Sequence, residues 1–241
     1  MPTIIIAAGS LVLVAAGVLA LTPVVDAHRY RVLRRTVADV ARVFEAAAID
    51  YWCDFGTLLG YYRDHDLIRG DKDADFGIVA PEKPRILALA ETLLQHGYVL
   101  TDRGGRYGNV LRISDARTGY HLDIYEYVRD GDVLRSVLAS PEEDLAAALV
   151  TNRVRAAFLG ATILVPADVP ALLLHRYGPR FTIPRRGDKG ATRPYSRIRS
   201  TVEDLQDNCL GIVALLRSAV SRRAGSASRR RSTSLEPGTR P

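Results

Sequence analysis

Two aspartates separated by a single residue, Asp73 and Asp75, are the side chains of this sequence with the clearest potential for chemistry. They precede the β-forming residues Phe76, Ile78 and Val79, so we expect the pair at the start of a strand. Residues i and i+2 of a strand point to the same side of a sheet, and both carboxylates should therefore face one site. Carboxylates at that spacing repel each other unless a cation lies between them.

A divalent cation between these carboxylates would indicate chemistry on a phosphate group. Mg²⁺, or Mn²⁺ in its place, prefers carboxylate oxygens and completes its coordination with water and substrate phosphate. A Gly-Thr pair, Gly56 and Thr57, begins seventeen positions before Asp73. We expect a helix to start there with Thr57 as its cap. The free N–H groups at such a helix start favour the binding of a phosphate.

The stretch from residue 56 to residue 75 resembles the signature of the LicD/fukutin family of phosphotransferases, which is part of the nucleotidyltransferase superfamily. The family pattern is Gly-Thr-Leu-Leu-Gly, then an Arg, then Ile-x-x-Asp-x-Asp-x-Asp. One departure is Gly70, where the family commonly has Trp before the first Asp. The residues that match the pattern are Gly56, Thr57, Leu58, Leu59, Gly60, Arg63, Ile68, Asp71, Asp73 and Asp75.

Two further segments resemble motifs of the same family in the same order. The run Tyr120-His121-Leu122-Asp123-Ile124-Tyr125 resembles the strand that carries the third carboxylate of the metal site. The segment from Val165 to Pro184, which includes Arg176-Tyr177-Gly178, resembles the C-terminal proline-rich and Tyr-Gly motif. The resemblance spans residues 36 to 185 and implies an α+β nucleotidyltransferase-type fold, a mixed sheet flanked by helices.

The resemblance also implies roles for individual residues. Asp73 and Asp75 would hold Mg²⁺ on the pyrophosphate of the donor, and Asp123 would share the metal site or accept the proton of the acceptor hydroxyl. His121 lies on the same strand face as Asp123, so it either contacts substrate or is a structural histidine. The catalytic and metal residues implied are Asp73, Asp75 and Asp123, and the substrate-binding residues are Gly56, Thr57, Arg63 and His121.

The reaction implied is the transfer of a phosphorylated alcohol, either phosphocholine-like or a sugar or polyol phosphate. Its donor would be a nucleotide-diphosphate-activated alcohol, and its acceptor a cell-envelope glycan or glycolipid. Nucleotidyl transfer to a small molecule or protein uses the same carboxylates, but the Leu-Leu-Gly and Tyr-Gly context favours the first reaction. A membrane-anchored, catalytically inactive scaffold of envelope assembly is a third interpretation, which the presence of all the carboxylates disfavours.

Two simpler interpretations of the acidic cluster are an EF-hand calcium loop and a solvated turn. An EF-hand loop needs Gly at its sixth position, where this chain has Phe76. Pro81 and a β-forming run also replace the helix that should leave such a loop. The acidic residues that coincide with EF-hand ligand positions are Asp71, Asp73, Asp75 and Glu82. The resemblance to the phosphotransferase family disfavours the solvated turn.

The net charge of +6 on the 241 residues is concentrated at the C-terminus. Without residues 221–241 the chain has 27 basic and 26 acidic residues, so its body is nearly neutral and offers no broad basic face for nucleic acid. The composition of residues 221–241, rich in Arg, Ser, Gly and Pro, predicts a disordered basic tail that anionic lipid would attract.

Residues 3–25 contain no charged side chain and would span about 35 Å as a helix, enough for the hydrocarbon core of a bilayer. A cleaved signal peptide is the alternative, because Val25-Asp26-Ala27 distantly resembles a cleavage site. The absence of Lys and Arg before the apolar run, and the length of that run, favour an uncleaved anchor.

We therefore expect an N-terminal transmembrane helix in residues 1–27, a catalytic domain in 28–220 and the tail in 221–241. The protein would be a single-pass membrane protein. Basic residues follow the apolar run, and the positive-inside rule then places the catalytic domain on the cytoplasmic side. The basic residues concerned are His28, Arg29, Arg31, Arg34, Arg35 and Arg42.

Hydrophobic periodicity predicts the elements that position the site. A helix should cover residues 37–47, a buried strand Tyr51–Phe55, and a second helix 82–96, which Gly97 closes. Further strands are expected at 98–102, 109–114, 120–128 and 156–165, and further helices at 168–176 and 202–216.

The predicted topology can be tested with a reporter fused to the C-terminus. We expect reporter activity only in the cytoplasm, because the cluster of arginines after the apolar segment should keep the domain there. A matched fusion in which a cleavable export signal replaces residues 1–27 serves as the exported control. Reporter activity on the far side of the membrane would contradict the orientation.

Overall fold

The computed structural model describes residues 2–104, 110–137, 143–184 and Val213, with only the backbone described for residues 2–20. The chain divides into two compact units, Met1–Val25 with Arg197–Pro241, and Asp26–Ser196. Within the part of the chain searched, no helix is long and apolar enough to cross a membrane. The anchor predicted in residues 1–27 falls mostly on residues whose side chains lie outside the description, and the 202–216 helix and the basic tail also fall outside it.

Helices and strands alternate irregularly along the chain, as expected for an α+β protein. The helices are α1 (Pro2–Ala46), α2 (Phe55–Arg63), α3 (Glu82–Leu87), α4 (Ala90–Gln95), α5 (Ala148–Thr151) and α6 (Val169–Tyr177). The strands are β1 (Tyr51–Cys53), β2 (Ala74–Val79), β3 (Tyr98–Asp102), β4 (Val110–Asp115), β5 (His121–Asp130), β6 (Val133–Ser136), β7 (Leu145–Ala146), β8 (Arg153–Phe158) and β9 (Ala161–Pro166).

The main sheet is mixed, which confirms the predicted α+β class and sheet type. Its strand order is β1-β2-β5-β4-β3, and β6 and β7 extend it from the far end of β5. The β2–β5 pair is parallel, whereas the other neighbours are antiparallel. Strands β8 and β9 form a separate hairpin. Helices α2 and α3 pack against β2, and α4 packs against β3.

The end of α1 contributes one side of the hydrophobic core. Val37, Val40, Ala41 and Phe44 recur at helical spacing and are fully buried, which confirms the predicted helix in this region. Phe44 lies 5.4 Å from the ring of Tyr51 on β1, and aromatic pairs in this range add to the free energy of burial. This packing fixes β1 and, through it, the start of α2.

Two predicted elements are each divided in two in the structure. The helix predicted at 82–96 is interrupted, because the N–H of Leu89 bonds to the carbonyl of Ile86, only three residues back, and the chain tightens there. The strand predicted at 156–165 is the β8–β9 hairpin. Leu159 and Gly160 both have positive φ values, 53° and 78°, which is the two-residue turn that suits a twisted hairpin. Because Leu159 is apolar, the turn was hidden inside an apolar run.

A buried ion pair attaches α6 to the junction between β1 and α2. Nη2 of Arg176 donates to Oδ2 of Asp54 at 2.7 Å and to the hydroxyl of Tyr127 at 2.6 Å. Nε1 of Trp52 donates to the same Asp54 oxygen at 3.0 Å. The side chains of Arg176 and Asp54 are 4% and 0% exposed. A pair this deeply buried is strongly destabilising to break, because the remaining charge has no water to solvate it.

We expect Asp54→Asn to destabilise the protein by about 3–5 kcal/mol, because it leaves the Arg176 charge buried without a counter-charge. The double variant Asp54→Asn/Arg176→Met should lose less stability than the single variant, and urea unfolding measures both. Arg135→Met removes an exposed pair with Asp130 and should leave the unfolding midpoint nearly unchanged. Equal losses in the single and double Asp54 variants would contradict this account.

Candidate active site

The predicted carboxylates meet where β2 and β5 begin. In the parallel register of these two strands Asp75 is the direct partner of Asp123. Directly paired residues of neighbouring strands point to the same face of the sheet, and Asp73 immediately precedes β2. The fold therefore brings Asp73 and Asp75 beside Asp123, although nearly fifty residues separate them in the sequence.

His121 also belongs to this cluster. Ligand atoms of Asp73, His121 and Asp123 all lie within 4.8 Å of one another. Nε2 of His121 is 4.0 Å from Oδ2 of Asp123, and Nδ1 is 3.3 Å from the carbonyl oxygen of Gly119. A neutral imidazole that donates its Nδ1–H to a backbone carbonyl presents its Nε2 lone pair to the carboxylates, as metal-binding histidines do.

Burial and like charge act together on Asp75. Its side chain is buried, and burial together with repulsion from Asp73, Asp71, Asp123 and Asp54 raises its pKa well above the ordinary value. A cation beside these oxygens would relieve that repulsion. The carboxylate oxygens of the cluster suit Mg²⁺ or Mn²⁺, so they fit the divalent ion that the sequence predicts.

The start of α2 lies against the carboxylates, but its cap differs from the prediction. Asp54 is the N-cap and accepts the N–H of Phe55 at 2.8 Å, so the proposed cap role of Thr57 was wrong. Thr57 is buried inside α2, where its Oγ1 accepts the backbone N–H of Asp75 at 2.8 Å. The predicted strand Tyr51–Phe55 accordingly ends at Cys53, because Asp54 turns the chain into the helix.

Gly56 leaves room for the close approach of the carboxylates. A Cβ at this position would collide with Oδ2 of Asp71 and lie 3.7 Å from Oδ2 of Asp75. The preceding Phe55 has φ 42°, an uncommon conformation for a residue with a side chain. The backbone at the start of α2 therefore lies close to the acidic cluster, as expected of a phosphate-binding turn.

Arg63 and Gly70 lie within the matched motif, between the Gly-Thr pair and Asp73. Arg63 lies in the last turn of α2 and forms a bidentate pair with Asp64, at 2.8 and 3.0 Å. Its predicted contact with donor phosphate stays a prediction. Gly70 has φ 87°, in the left-handed region that favours glycine, so the Trp of the family pattern would be strained at this point of the chain.

Arg112 is a member of the site that sequence reasoning missed. It lies on β4 directly opposite Asp123, and its Nε and Nη2 each donate to an Asp123 oxygen at 2.7 Å. Burial lowers the pKa of Arg112, but Asp123 and Asp73 raise it above the ordinary value overall. The signal in the sequence was a charged residue between two apolar residues of a predicted strand, Leu111 and Ile113. Both of these neighbours are fully buried.

Two tyrosines form part of the wall of the site. Burial and the nearby carboxylates, with Asp75 the first of them, raise the pKa of Tyr125 and of Tyr177 well above the ordinary value. Both hydroxyls therefore stay protonated and can donate hydrogen bonds. The ring of Tyr125 lies 4.8 Å from that of Phe55, whose ring in turn lies 4.1 Å from the Arg176 guanidinium.

A family model described as the LicD/FKTN/FKRP nucleotidyltransferase domain matches residues 48–168, half of the chain. The matched range runs from before β1 to the end of β9. It therefore contains every predicted site residue, together with Arg112.

Two curated proteins show the same relationship. The human and mouse proteins named Ribitol 5-phosphate transferase FKRP (Homo sapiens and Mus musculus) are each 30% identical to this chain over 122 residues. The aligned part is 48% of this chain and 24% of each relative, so the chain matches about a quarter of their length.

Two solved structures of ANT(2'')-Ia, an antibiotic-resistance factor, are also similar. A solution structure has a TM-score of 0.43 at 12% identity and covers 85% of this chain and 99% of that one. A crystal structure in complex with adenylyl-2''-tobramycin has a TM-score of 0.35 at 15% identity and covers 75% and 92%. Likeness at this level assigns neither the fold nor a function.

The raised pKa of Asp75 predicts that this residue destabilises the metal-free protein near neutral pH. The folded state holds the Asp75 proton more tightly than the unfolded chain, where the pKa is about 3.9. The stability of the wild type should therefore fall as the pH rises from about 4, the unfolded-state pKa, towards the raised pKa of the folded state. Asp75→Asn should be more stable than wild type near neutral pH in EDTA. Its advantage should vanish at about pH 4.

Urea unfolding at the two pH values measures this difference, and Asp130→Asn, at an exposed position, is the matched control. A lower unfolding midpoint for Asp75→Asn than for wild type near neutral pH in EDTA would contradict the electrostatic account.

Proposed function

Because the chain belongs to the LicD/FKTN/FKRP nucleotidyltransferase-domain family, we propose that it transfers a phosphorylated alcohol from a nucleotide-diphosphate donor, with the help of a divalent cation. The supporting observation is the cluster of Asp73, Asp75, His121 and Asp123 at the start of the parallel β2–β5 pair, inside the matched range. The name of the human and mouse relatives makes a polyol phosphate such as ribitol phosphate the first candidate for the group transferred.

In the proposed reaction an acceptor hydroxyl attacks the phosphorus that carries the alcohol. The bond from this phosphorus to the bridging oxygen of the diphosphate breaks, and the nucleoside monophosphate leaves. The new bond joins the acceptor oxygen to the phosphorylated alcohol. A bound Mg²⁺ or Mn²⁺ would supply neutralisation of the charge on the diphosphate.

The residues of the chain divide this work among them. Asp73, His121 and Asp123, with Asp75 beside them, would hold the cation, while Gly56 at the start of α2 brings backbone N–H groups to the phosphates. The proton of the attacking hydroxyl would pass to a carboxylate of the cluster. Asp75 suits that step because Arg112 already holds the neighbouring Asp123 as an ion pair.

The acceptor and the location complete the proposal. The acceptor would be a hydroxyl of a cell-envelope glycan or glycolipid. The domain would work at the cytoplasmic face of a membrane, where nucleotide-activated donors are made, and residues 1–27 would anchor it there. Near-neutral charge outside residues 221–241 supports a glycan rather than a nucleic acid as the acceptor.

Nucleotidyl transfer is the second candidate, favoured by the family description as a nucleotidyltransferase domain. The leaving group separates the two reactions. Transfer of a phosphorylated alcohol releases a nucleoside monophosphate from a nucleotide-diphosphate alcohol, whereas nucleotidyl transfer releases pyrophosphate from a nucleoside triphosphate.

The test is a product assay on the purified full chain with Mg²⁺ or Mn²⁺. The donor panel contains CDP-ribitol, CDP-glycerol, CDP-choline, nucleotide sugars and plain nucleoside triphosphates, each with a cell-envelope glycan fraction as acceptor. Metal-dependent release of a nucleoside monophosphate supports the proposal. Release of pyrophosphate alone supports nucleotidyl transfer, and release of neither product from any donor would favour the inactive scaffold.

We expect Asp73→Ala to reduce turnover by about a thousandfold or more, because losing a metal-site carboxylate removes several kcal/mol of transition-state stabilisation. Rates of donor cleavage with saturating Mg²⁺ measure the effect, and Asp130→Ala serves as the exposed control. The melting temperature in EDTA should not fall in Asp73→Ala, since the change also relieves repulsion. Near-normal turnover in this variant and in Asp75→Ala would identify the cluster as a solvated turn.

A further inference from the structure

The bidentate pair between Arg112 and Asp123 occupies an oxygen that the proposed metal site needs. Nη2 of Arg112 donates at 2.7 Å to Oδ2 of Asp123, the same oxygen that lies 4.0 Å from Nε2 of His121. Nε of Arg112 holds the other oxygen at the same distance. A cation bound between Asp73, His121 and Asp123 would therefore share an oxygen with a guanidinium and be repelled by its charge.

The backbone around Arg112 fixes where its guanidinium can go. Strand β4 is hydrogen-bonded to β3 on one side and to β5 on the other, so the Arg112 backbone is held in register. Its side chain is 25% exposed, against 8% for that of Asp123. The carboxylate is thus the fixed partner, and the long arginine side chain is the partner that can change its position by rotation about its own bonds.

A guanidinium displaced from Asp123 would remain at the edge of the metal site. There it would meet the phosphate oxygens of a bound diphosphate, which match the planar fork of Arg as well as a carboxylate does. Arginine keeps its charge at any working pH, so it can form either pair.

We propose that Arg112 is a displaceable counter-ion, which pairs with Asp123 in the metal-free protein and moves to the diphosphate of the donor when the cation binds. The inference rests on the proposed function, since it takes the donor to be a nucleotide diphosphate. Arg112 would then contact the substrate when the cation is bound. Without the cation, its guanidinium would balance the charge of the Asp123 carboxylate.

The alternative role for Arg112 is permanent orientation of Asp123. The two roles predict opposite signs for metal affinity. A positioning residue supports the ligand, so its removal weakens both metal and diphosphate binding. A displaceable counter-ion competes with the metal, so its removal strengthens metal binding while it weakens diphosphate binding.

The experiment measures two dissociation constants on the full chain for wild type, Arg112→Met, Arg112→Lys and the exposed control Arg135→Met. The first constant is for Mn²⁺ alone, followed by the electron paramagnetic resonance of the free ion. The second is for CDP, UDP, GDP and ADP at saturating Mn²⁺, followed by calorimetry, with inorganic phosphate as a separate arm. Inorganic phosphate tests whether one phosphoryl group suffices.

For Arg112→Met we expect Mn²⁺ binding about tenfold tighter than in wild type, and binding of the preferred nucleoside diphosphate about tenfold weaker or more. Arg112→Lys keeps the charge without the fork and should fall between wild type and Arg112→Met in both constants. Arg135→Met should match wild type. If Arg112→Met does not fold, the intermediate shifts of Arg112→Lys carry the same signs.

Weaker or unchanged Mn²⁺ binding in the Arg112 variants would overturn the inference, as would unchanged diphosphate affinity. These results leave the proposed function intact as long as wild type binds both ligands. Failure of wild type itself to bind Mn²⁺ and any nucleoside diphosphate would overturn the proposed function, and the inference with it.

Discussion

Repulsion among carboxylates that the sheet holds side by side is the constraint on which the rest of this site depends. The parallel register of β2 and β5 makes Asp75 the neighbour of Asp123, and Asp73 lies immediately before β2. Side chains on paired strands cannot separate without breaking the ladder between them, so the surroundings must balance the charge. Arg112 does this for Asp123, while burial and the neighbouring carboxylates raise the pKa of Asp75.

A second arginine–aspartate pair, between Arg176 and Asp54, has a structural role. Asp54 is completely buried, and the Arg176 guanidinium, the Trp52 indole and the Phe55 N–H all donate to its carboxylate. No exchange of partners is available in such surroundings, because every oxygen already has well-placed donors. Asp123 differs because its partner Arg112 is partly exposed and because it belongs to a group, with Asp73 and His121, that could hold a cation. The greater exposure of Arg112 thus distinguishes its pair with Asp123 from the fully buried pair of Asp54 and Arg176.

The start of α2 links these two regions within a few residues. Asp54 caps the helix and anchors α6, Gly56 admits the carboxylates, and Thr57 ties the helix to the backbone of Asp75. The Gly-Thr pair therefore has a physical reason that differs from a simple cap. Glycine leaves space for the carboxylates, and threonine is the buried acceptor of the Asp75 backbone N–H.

Local patterns in the sequence determined the elements and much of the site. The β-formers after Asp75 indicated β2, the helical spacing before Ala46 indicated the end of α1, and Asp168 with the residues after it indicated α6. The two-residue spacing of Asp73 and Asp75, together with the motif around Asp123, indicated the acidic cluster. These features depend on neighbours within a few positions, where propensity, period and capping act directly.

Only the tertiary structure decided which strands pair and in which register. The alternation along a strand specifies which face a residue occupies, but not the partner that lies opposite, because pairing energy depends on contacts distant in the sequence. Arg112 met Asp123 through the β4–β5 register, Asp54 became the cap because Arg176 and Trp52 also bind it, and Leu159 adopted a turn because β8 and β9 pair. Each of these outcomes follows from long-range contacts that compete with, and here outweigh, the local preference.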